Sequence, residues 1–324
     1  MEKKNLRIVF MGTPEFAVGS LQRLVENGYN VVAVVTQPDK PVGRHGSVLR
    51  PSPVKEYALA HGLPVLQPLK MKDEQFLEQL RSYHADLQVV VAFRMLPEVV
   101  WAMPRFGTFN VHAALLPDYR GAAPINWAVI NGETLTGVTT FFLDHDIDTG
   151  RIIAQRQFPI PDDADVEYVY DGLMQLGAQL CTDTVDLVLS TDGNAPSQPQ
   201  QHSDAHHAAP KIFKETCAID FSLPAKRIYD FVRGLSPAPG AWCMLTPRDA
   251  NAPAQVLKIY KTAKTGESSN GVEVGTLKAE NRRLLVATVD EWLEIVELQP
   301  AGKKRMAARD YLNGFQHPEH FLLK

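Results

Sequence analysis

The chain has 324 residues, enough for two domains that each bury a core of their own. Hydrophobic residues make up 45% and the net charge is −4, values typical of a soluble globular protein, and no stretch is apolar for long enough to span a bilayer. Three scattered cysteines, Cys181, Cys217 and Cys243, in no CxxC spacing, argue against a disulfide framework or a structural zinc site, so a cytoplasmic location is expected.

The opening MEKKNLRIVFMG places charge before a short apolar run, but no small-residue cleavage site follows, so it reads as a first strand. LRIVFMG, VVAVVTQ and DLQVVVAF are short β-branched runs separated by helical stretches such as PEFAVGSLQRLVENG and KDEQFLEQLRSYH, an alternation that predicts a mostly parallel, Rossmann-like α/β sheet. GTFNVH, a helix through Ile125 to Ile130, TGVTTFFLD, RIIAQRQFPI and a long helix from about Val166 to Leu189 complete a first domain over 1–189. Residues 190–210, rich in Pro, Ala and polar side chains without apolar periodicity, read as a linker. Over 211–324 a helix around Pro224 to Gly234 precedes the strands AQVLKIYK, GVEVGTLK, RRLLVATV and WLEIVELQP, a pattern that predicts a small, OB-like β-barrel. Charge divides with the domains: 16 Lys and Arg against 24 Asp and Glu up to residue 210, and 17 against 13 beyond it, or −8 and +4. The basic second half hints at a polyanionic partner.

Three short motifs resolve to ordinary roles. MGTPEFAVGS lacks the GxGxxG spacing, so Gly12 is expected to make a tight strand-to-helix turn and no nucleotide cofactor is implied. DHDIDTG resembles the opening of a calcium loop, but counting from Asp144 puts Gln155 at the position that needs a bidentate acid. HSDAHH, residues 202–207, lies in the linker without an ordered scaffold and reads as solvated polar chain.

Asn110 and His112 stand out because they interrupt an apolar strand. Two apart, they emerge on one side of it, and in an open α/β sheet ligands collect beyond the carboxyl ends of strands. From the pair alone, a structural hydrogen-bonded histidine and a reacting one are equally good readings. Asp148, which also follows a strand, shifts the balance: a carboxylate against His112 orients the imidazole and favours its cationic form. Asn110 and His112 then aim two donors at one developing oxyanion, and with no serine or cysteine nucleophile beside them the chemistry is direct transfer of a small acyl group to an amine.

These residues also carry a family resemblance. NVHAALLPDYRGAAPINWAVINGE followed by TGVTTFFLDHDIDTG resembles the signature of the folate-dependent formyltransferases, in which Asn, His and Asp perform the reaction. Within that family, MGTPEFAV, TQPDKPVGRHGSVLRPSPVK, SPAPGAW and LQPAGKKRMAARDYLNG resemble the branch that formylates initiator methionyl-tRNA, so the likeness runs through essentially the whole chain. The resemblance implies 10-formyltetrahydrofolate as donor, initiator methionyl-tRNA as acceptor, no metal, and a monomer. It also implies a folate turn at Ala114, Leu115, Leu116 and Pro117, and a pterin wall at Phe93, Arg94, Met95 and Leu96. The family usually has Ser in place of Ala114, a basic residue in place of Asp118, and Tyr-Gly in place of Phe93-Arg94.

The loop DKPVGRHGSVLRPSP, residues 39–53, carries Lys40, Arg44 and Arg50 with no acid after Asp39. It matches the family's insertion that reaches the tRNA acceptor stem. Arg44 is expected as the main phosphate contact, because arginine grips phosphate in a bidentate way, with Lys40 and Arg50 assisting. The competing expectations are a formyltransferase acting on a small amine such as glycinamide ribonucleotide or a sugar amine, a formyltetrahydrofolate hydrolase, and a catalytically idle RNA-binding protein.

Overall fold

The computed structural model describes residues 2–42, 48–201, 206–249 and 252–324. Two compact units divide the chain, and neither is contiguous: the first comprises residues 1–121, 135–159 and 170–208, the second residues 122–134, 160–169 and 209–324.

In chain order the elements up to the long helix are β1 (Arg7–Gly12), α1 (Glu15–Glu26), β2 (Asn30–Val35), β3 (Lys40–Val42), β4 (Val48–Arg50), α2 (Pro53–Ala60), β5 (Val65–Leu66), α3 (Glu74–Ser82), β6 (Leu87–Val91), α4 (Glu98–Trp101), β7 (Thr108–His112), β8 (Arg120–Gly121), α5 (Pro124–Ile130), β9 (Leu135–Phe142), β10 (Ile152–Pro159) and α6 (Val166–Ser190). They are followed by β11 (Ala208–Ala209), α7 (Ala225–Leu235), β12 (Ala241–Pro247), β13 (Gln255–Ser268), β14 (Leu277–Glu280), β15 (Arg283–Ala287), β16 (Glu291–Pro300), β17 (Met306–Ala307), α8 (Ala308–Tyr311) and β18 (Phe321–Leu323).

The first unit's sheet runs β10-β9-β7-β6-β1-β2-β5. Strands β5, β2, β1, β6 and β7 are mutually parallel, whereas β9 and β10 join antiparallel at the β7 edge, so the sheet is Rossmann-like with an antiparallel margin. Strand β6 is LQVVV with every residue buried, the near-continuous apolar run that a parallel strand covered on both faces requires. Each fully buried valine or leucine contributes about 2 kcal/mol by leaving water. Helix α3 begins where the Asp73 side chain accepts the Phe76 N–H, and it buries Phe76, Leu77 and Leu80 along one stripe. Helix α2 is capped in the same way by Ser52, which accepts the Lys55 N–H. A Cβ on Gly12 would lie 2.6 Å from the Ala17 Cβ and 3.0 Å from the Val91 carbonyl, so the tight turn expected there serves close packing of β1, α1 and β6.

The second unit is an antiparallel sheet in the order β14-β15-β16-β13-β12-β18, with β17 added beside β16. A bridge between Thr276 and Leu322 ties the β18 end back toward β14, so the sheet is a nearly closed barrel. Its core includes Leu257, Ile259, Leu284, Val286, Leu293, Ile295 and Leu298, packed with Ile228, Val232 and Leu235 of α7. Two expected strands differ in extent. GVEVGTLK contributes only its last two residues, to a strand that runs Leu277–Glu280, because Gly271 and Gly275 turn the chain with positive φ, and AQVLKIYK extends into a strand of 14 residues, Gln255–Ser268.

Candidate active site

Strand β7 supplies the first two groups. Its side chains alternate, and a Cβ on Gly177 of α6 would lie 3.4 Å from Val111, so Val111 faces α6 while Asn110 and His112 face the other side of the sheet. In register, Asn110 sits between Val90 of β6 and Phe141 of β9, and His112 lies opposite Thr139. His112 is 6% exposed. Its Nε2 is 2.9 Å from the Tyr119 carbonyl, and since a carbonyl only accepts, Nε2 carries the hydrogen. Asn110 is half-buried, and its side-chain amide has no hydrogen-bond partner among the described residues.

Asp148 arrives from the loop after β9. Its Oδ2 accepts the Gly121 N–H at 2.9 Å and stands 3.8 Å from His112 Nδ1. That separation is an ion-pair distance beyond hydrogen-bond length, so the ring's orientation is fixed by the Tyr119 carbonyl, with the carboxylate facing its other nitrogen. The backbone at Asp148 has φ 55°, a left-handed conformation that Asp tolerates better than most residues. Gly150 follows of necessity: a Cβ there would fall 1.6 Å from the Phe142 carbonyl oxygen. The structure therefore places the Asp148 carboxylate beside His112, with Asn110 two residues back on the same face of β7.

The turn expected to face folate is tied down from within. Ala114 is fully buried and its carbonyl accepts the Thr139 hydroxyl at 2.7 Å. The Leu116 N–H donates to the same Thr139 oxygen at 3.1 Å, and Gln155 Nε2 donates to the Leu116 carbonyl at 2.8 Å. Leu115 and Pro117 are half-buried, and Leu116 is 3% exposed. In the expected pterin wall, Phe93 is half-buried, Met95 is exposed, and Leu96 points into the core beside Val9, Met11 and Val100. Arg94 is pinned to the carbonyls of Pro68 and Leu69, and burial lowers its guanidinium pKa. Asp118 accepts the His207 N–H at 3.0 Å and lies 3.3 Å from His206 Nδ1.

The segment expected as a loop at 39–53 has paired stems. Strands β3 and β4 form a two-stranded antiparallel ribbon in which Lys40 stands directly opposite Arg50, both exposed. Asp39 anchors its base, 2.7 Å from Lys55 Nζ and 2.8 Å from Gln67 Nε2, and the Lys55 ammonium foremost, then Gln67, holds its carboxyl below the usual range. Arg44 lies outside the described residues.

Four contributors carry no signal in the sequence: the Tyr119 carbonyl, the Gly121 N–H, Thr139 and Gln200. The first two are backbone groups without a residue signature. Thr139 hides among the β-branched residues of β9, and Gln200 sits in a stretch that reads as linker yet is 8% exposed against the Asp148 loop. Among the described residues, one cluster of three potential metal ligands occurs, His317, Glu319 and His320, all exposed and in the second unit.

Known proteins define the class first. Residues 6–185 match the family described as formyl transferase, and residues 211–316 match the formyl transferase C-terminal domain, so the chain is an enzyme of the formyl-transfer type. The methionyl-tRNA formyltransferase of Parabacteroides distasonis is 61% identical over 319 residues, covering 98% of each chain. That of Phocaeicola vulgatus is 58% identical over 321 residues, again covering 98% of each. The chain belongs to the methionyl-tRNA formyltransferase family. WlaRD, a sugar 3N-formyl transferase crystallised in the presence of dTDP and 5-N-formyl-THF, shares the fold with a TM-score of 0.63 at 18% identity, over 92% of this chain and 99% of that one.

Proposed function

We propose that this enzyme transfers the formyl group of 10-formyltetrahydrofolate to the amino group of initiator methionyl-tRNA, with Asn110, His112 and Asp148 acting as one unit. The observation that carries the reading is their convergence: an unengaged amide and a buried imidazole on one face of β7, and a carboxylate 3.8 Å from the imidazole, in a chain whose family transfers formyl groups. The neutral amine attacks the formyl carbon, a new C–N bond forms, and the carbonyl electrons move onto oxygen. Asn110 donates to that oxyanion and cationic His112 stabilises its charge. A water near Asp148 takes the amine's surplus proton and relays one to N10 of the folate, the bond between the formyl carbon and N10 breaks as the carbonyl re-forms, and tetrahydrofolate leaves with N10 protonated.

The donor is held by Phe93, Leu115 and Pro117 as apolar walls, with backbone groups of 93–96 and 114–117 reading the ring edge. Thr139 and Gln155 keep that turn rigid enough to do so. Lys40, Arg44 and Arg50 meet tRNA phosphates. A formyl-transfer assay comparing initiator methionyl-tRNA, elongator methionyl-tRNA, glycinamide ribonucleotide and water tests the reading. Initiator methionyl-tRNA is expected to be the preferred acceptor by a wide margin, and faster transfer to either small acceptor would overturn it.

A further inference from the structure

Among the described residues, Gln200 is the one side chain that binds the carbonyls of both Asp148 and Gly150. Its Nε2 donates to the Asp148 carbonyl at 2.9 Å and to the Gly150 carbonyl at 2.8 Å. Its Oε1 accepts from Arg120 Nε at 3.1 Å and Arg120 Nη2 at 2.6 Å. Two donors and two lone pairs are the whole capacity of an amide, so every one is used and the amide has a single orientation. Turned over, it would set its oxygen against two carbonyls and its NH2 against a guanidinium. The residue is 8% exposed, and the chain just before it is tied to the same region, with Gln198 and Ile152 exchanging both backbone hydrogen bonds at 2.8 Å.

The clamp acts where the backbone needs holding. Asp148 is left-handed at φ 55°, and a residue in that region keeps its conformation only when its surroundings over-determine it. Three bonds do so: Gly121 N–H to Oδ2, and the two from Gln200 to the carbonyls of Asp148 itself and of Gly150. Arg120 precedes Gly121 in the chain, so Gln200 links the segment that grips the Asp148 carboxylate to the loop that carries it.

We infer that Gln200 is a positioning residue for the reaction: its amide sets the distance and direction of the Asp148 carboxylate relative to His112. The inference rests on the proposed role of Asp148. The decisive variant is Gln200→Glu, which keeps the shape and the contact to Arg120 but replaces both donors with acceptors facing two carbonyls. Turnover of formyl transfer to initiator methionyl-tRNA should fall by about 10- to 100-fold, the scale of a displacement of about 1 Å in a reacting group. KM for the formyl donor should change little, since the donor's own contacts are untouched. In an Asp148→Asn background the same change should cost almost nothing further, because the group being positioned has lost its charge.

Wild-type turnover in Gln200→Glu, or losses that multiply independently in the double variant, would overturn the inference. If Gln200→Glu does not fold, Gln200→Asn serves instead: it keeps the donors but is one methylene too short to reach both carbonyls, and it should show the same loss and the same coupling to Asp148. The two proposals fail separately. An Asp148→Asn enzyme at full turnover removes the role of Asp148 itself, whereas an impaired Asp148→Asn beside a fully active Gln200→Glu removes only the clamp.

Discussion

Strands β2 and β7 of the first unit lead into opposite kinds of structure. Around the end of β7 are groups hydrogen-bonded in several directions: His112 on the Tyr119 carbonyl, Asp148 on the Gly121 N–H, the 114–117 turn on Thr139 and Gln155. After β2 comes a ribbon whose Val48 and Leu49 are more than half exposed and whose Lys40 and Arg50 face each other in like-charged register. The first arrangement gives up conformational freedom for accuracy, which a reaction at a single carbon needs. The second leaves charge unneutralised, which suits contact with a large polyanion better than it suits stability. On the proposed function, the reacting groups and the recognition groups are thus built under opposite demands within one unit.

The largest effect is expected at the groups proposed to react. His112→Ala and Asn110→Ala are each expected to lower turnover by about 100- to 1,000-fold, the range found when an oxyanion donor is removed, while circular dichroism stays unchanged. Near wild-type turnover at saturating substrates in either variant would show that the rigid end of the sheet is structural.

Next in size is the cost of disturbing the rigid loop itself. Because a Cβ at position 150 would fall 1.6 Å from the Phe142 oxygen, Gly150→Ala must push the loop away from β9. A loss of about 3 kcal/mol in urea-induced unfolding is expected, together with reduced turnover. Unchanged stability would mean that the loop accommodates strain and is less constrained than the neighbouring contacts imply.

The ribbon should respond in the reverse sense. Replacing Lys40 and Arg50 together by Ala removes a like-charged pair, so the ribbon's amides should exchange no faster with solvent hydrogen than before. Yet kcat/KM for initiator methionyl-tRNA should drop by about 10-fold, and the slope of its logarithm against the logarithm of salt should fall by about 2, with KM for the formyl donor unchanged. A variant that keeps its salt slope places these cations away from the tRNA.

The smallest effect lies at the ribbon's base. The Asp39 carboxyl is held below its ordinary value chiefly by the Lys55 ammonium, so its ionised form is favoured in the folded chain. The contribution is present above the ordinary carboxylate range, near ~3.9, and is lost as pH falls through the depressed folded value. Asp39→Asn should abolish this acid-side loss of protection in the ribbon amides and change little at neutral pH. Identical acid profiles in the two proteins would free the ribbon from its dependence on Asp39.

Much of this organisation was legible in the sequence, and what was not has physical causes. Asn110 and His112 were visible because polar side chains at strand spacing contradict an otherwise apolar run. Asp148 was visible because turn residues follow it directly. The antiparallel margin was not, since TGVTTFFLD and RIIAQRQFPI carry the same β-branched signal in either direction. The stems of the ribbon escaped because three-residue strands rich in Lys, Arg and Pro lack alternation. Strand β12 was hidden in AWCMLTP and β18 in FLLK, where pairing partners far along the chain decide the structure. Gln200 had no signal at all: a glutamine among prolines and serines reads as linker until its two carbonyl partners are known.

The way the second unit closes governs how it can form. Leu245 of β12 pairs with Leu323 of β18, and the Met244 and Lys324 backbones exchange hydrogen bonds in both directions, so the barrel's seam joins segments separated by most of the unit's own chain. Loop-closure entropy must be met before that pairing gives anything back, which makes the seam a late event in folding. Until then β12 and β14 each present an open strand edge, the kind of edge on which chains pair with one another. The interval between collapse and closure is therefore when this protein is most exposed to self-association, and its length is set by topology more than by the strength of the finished core.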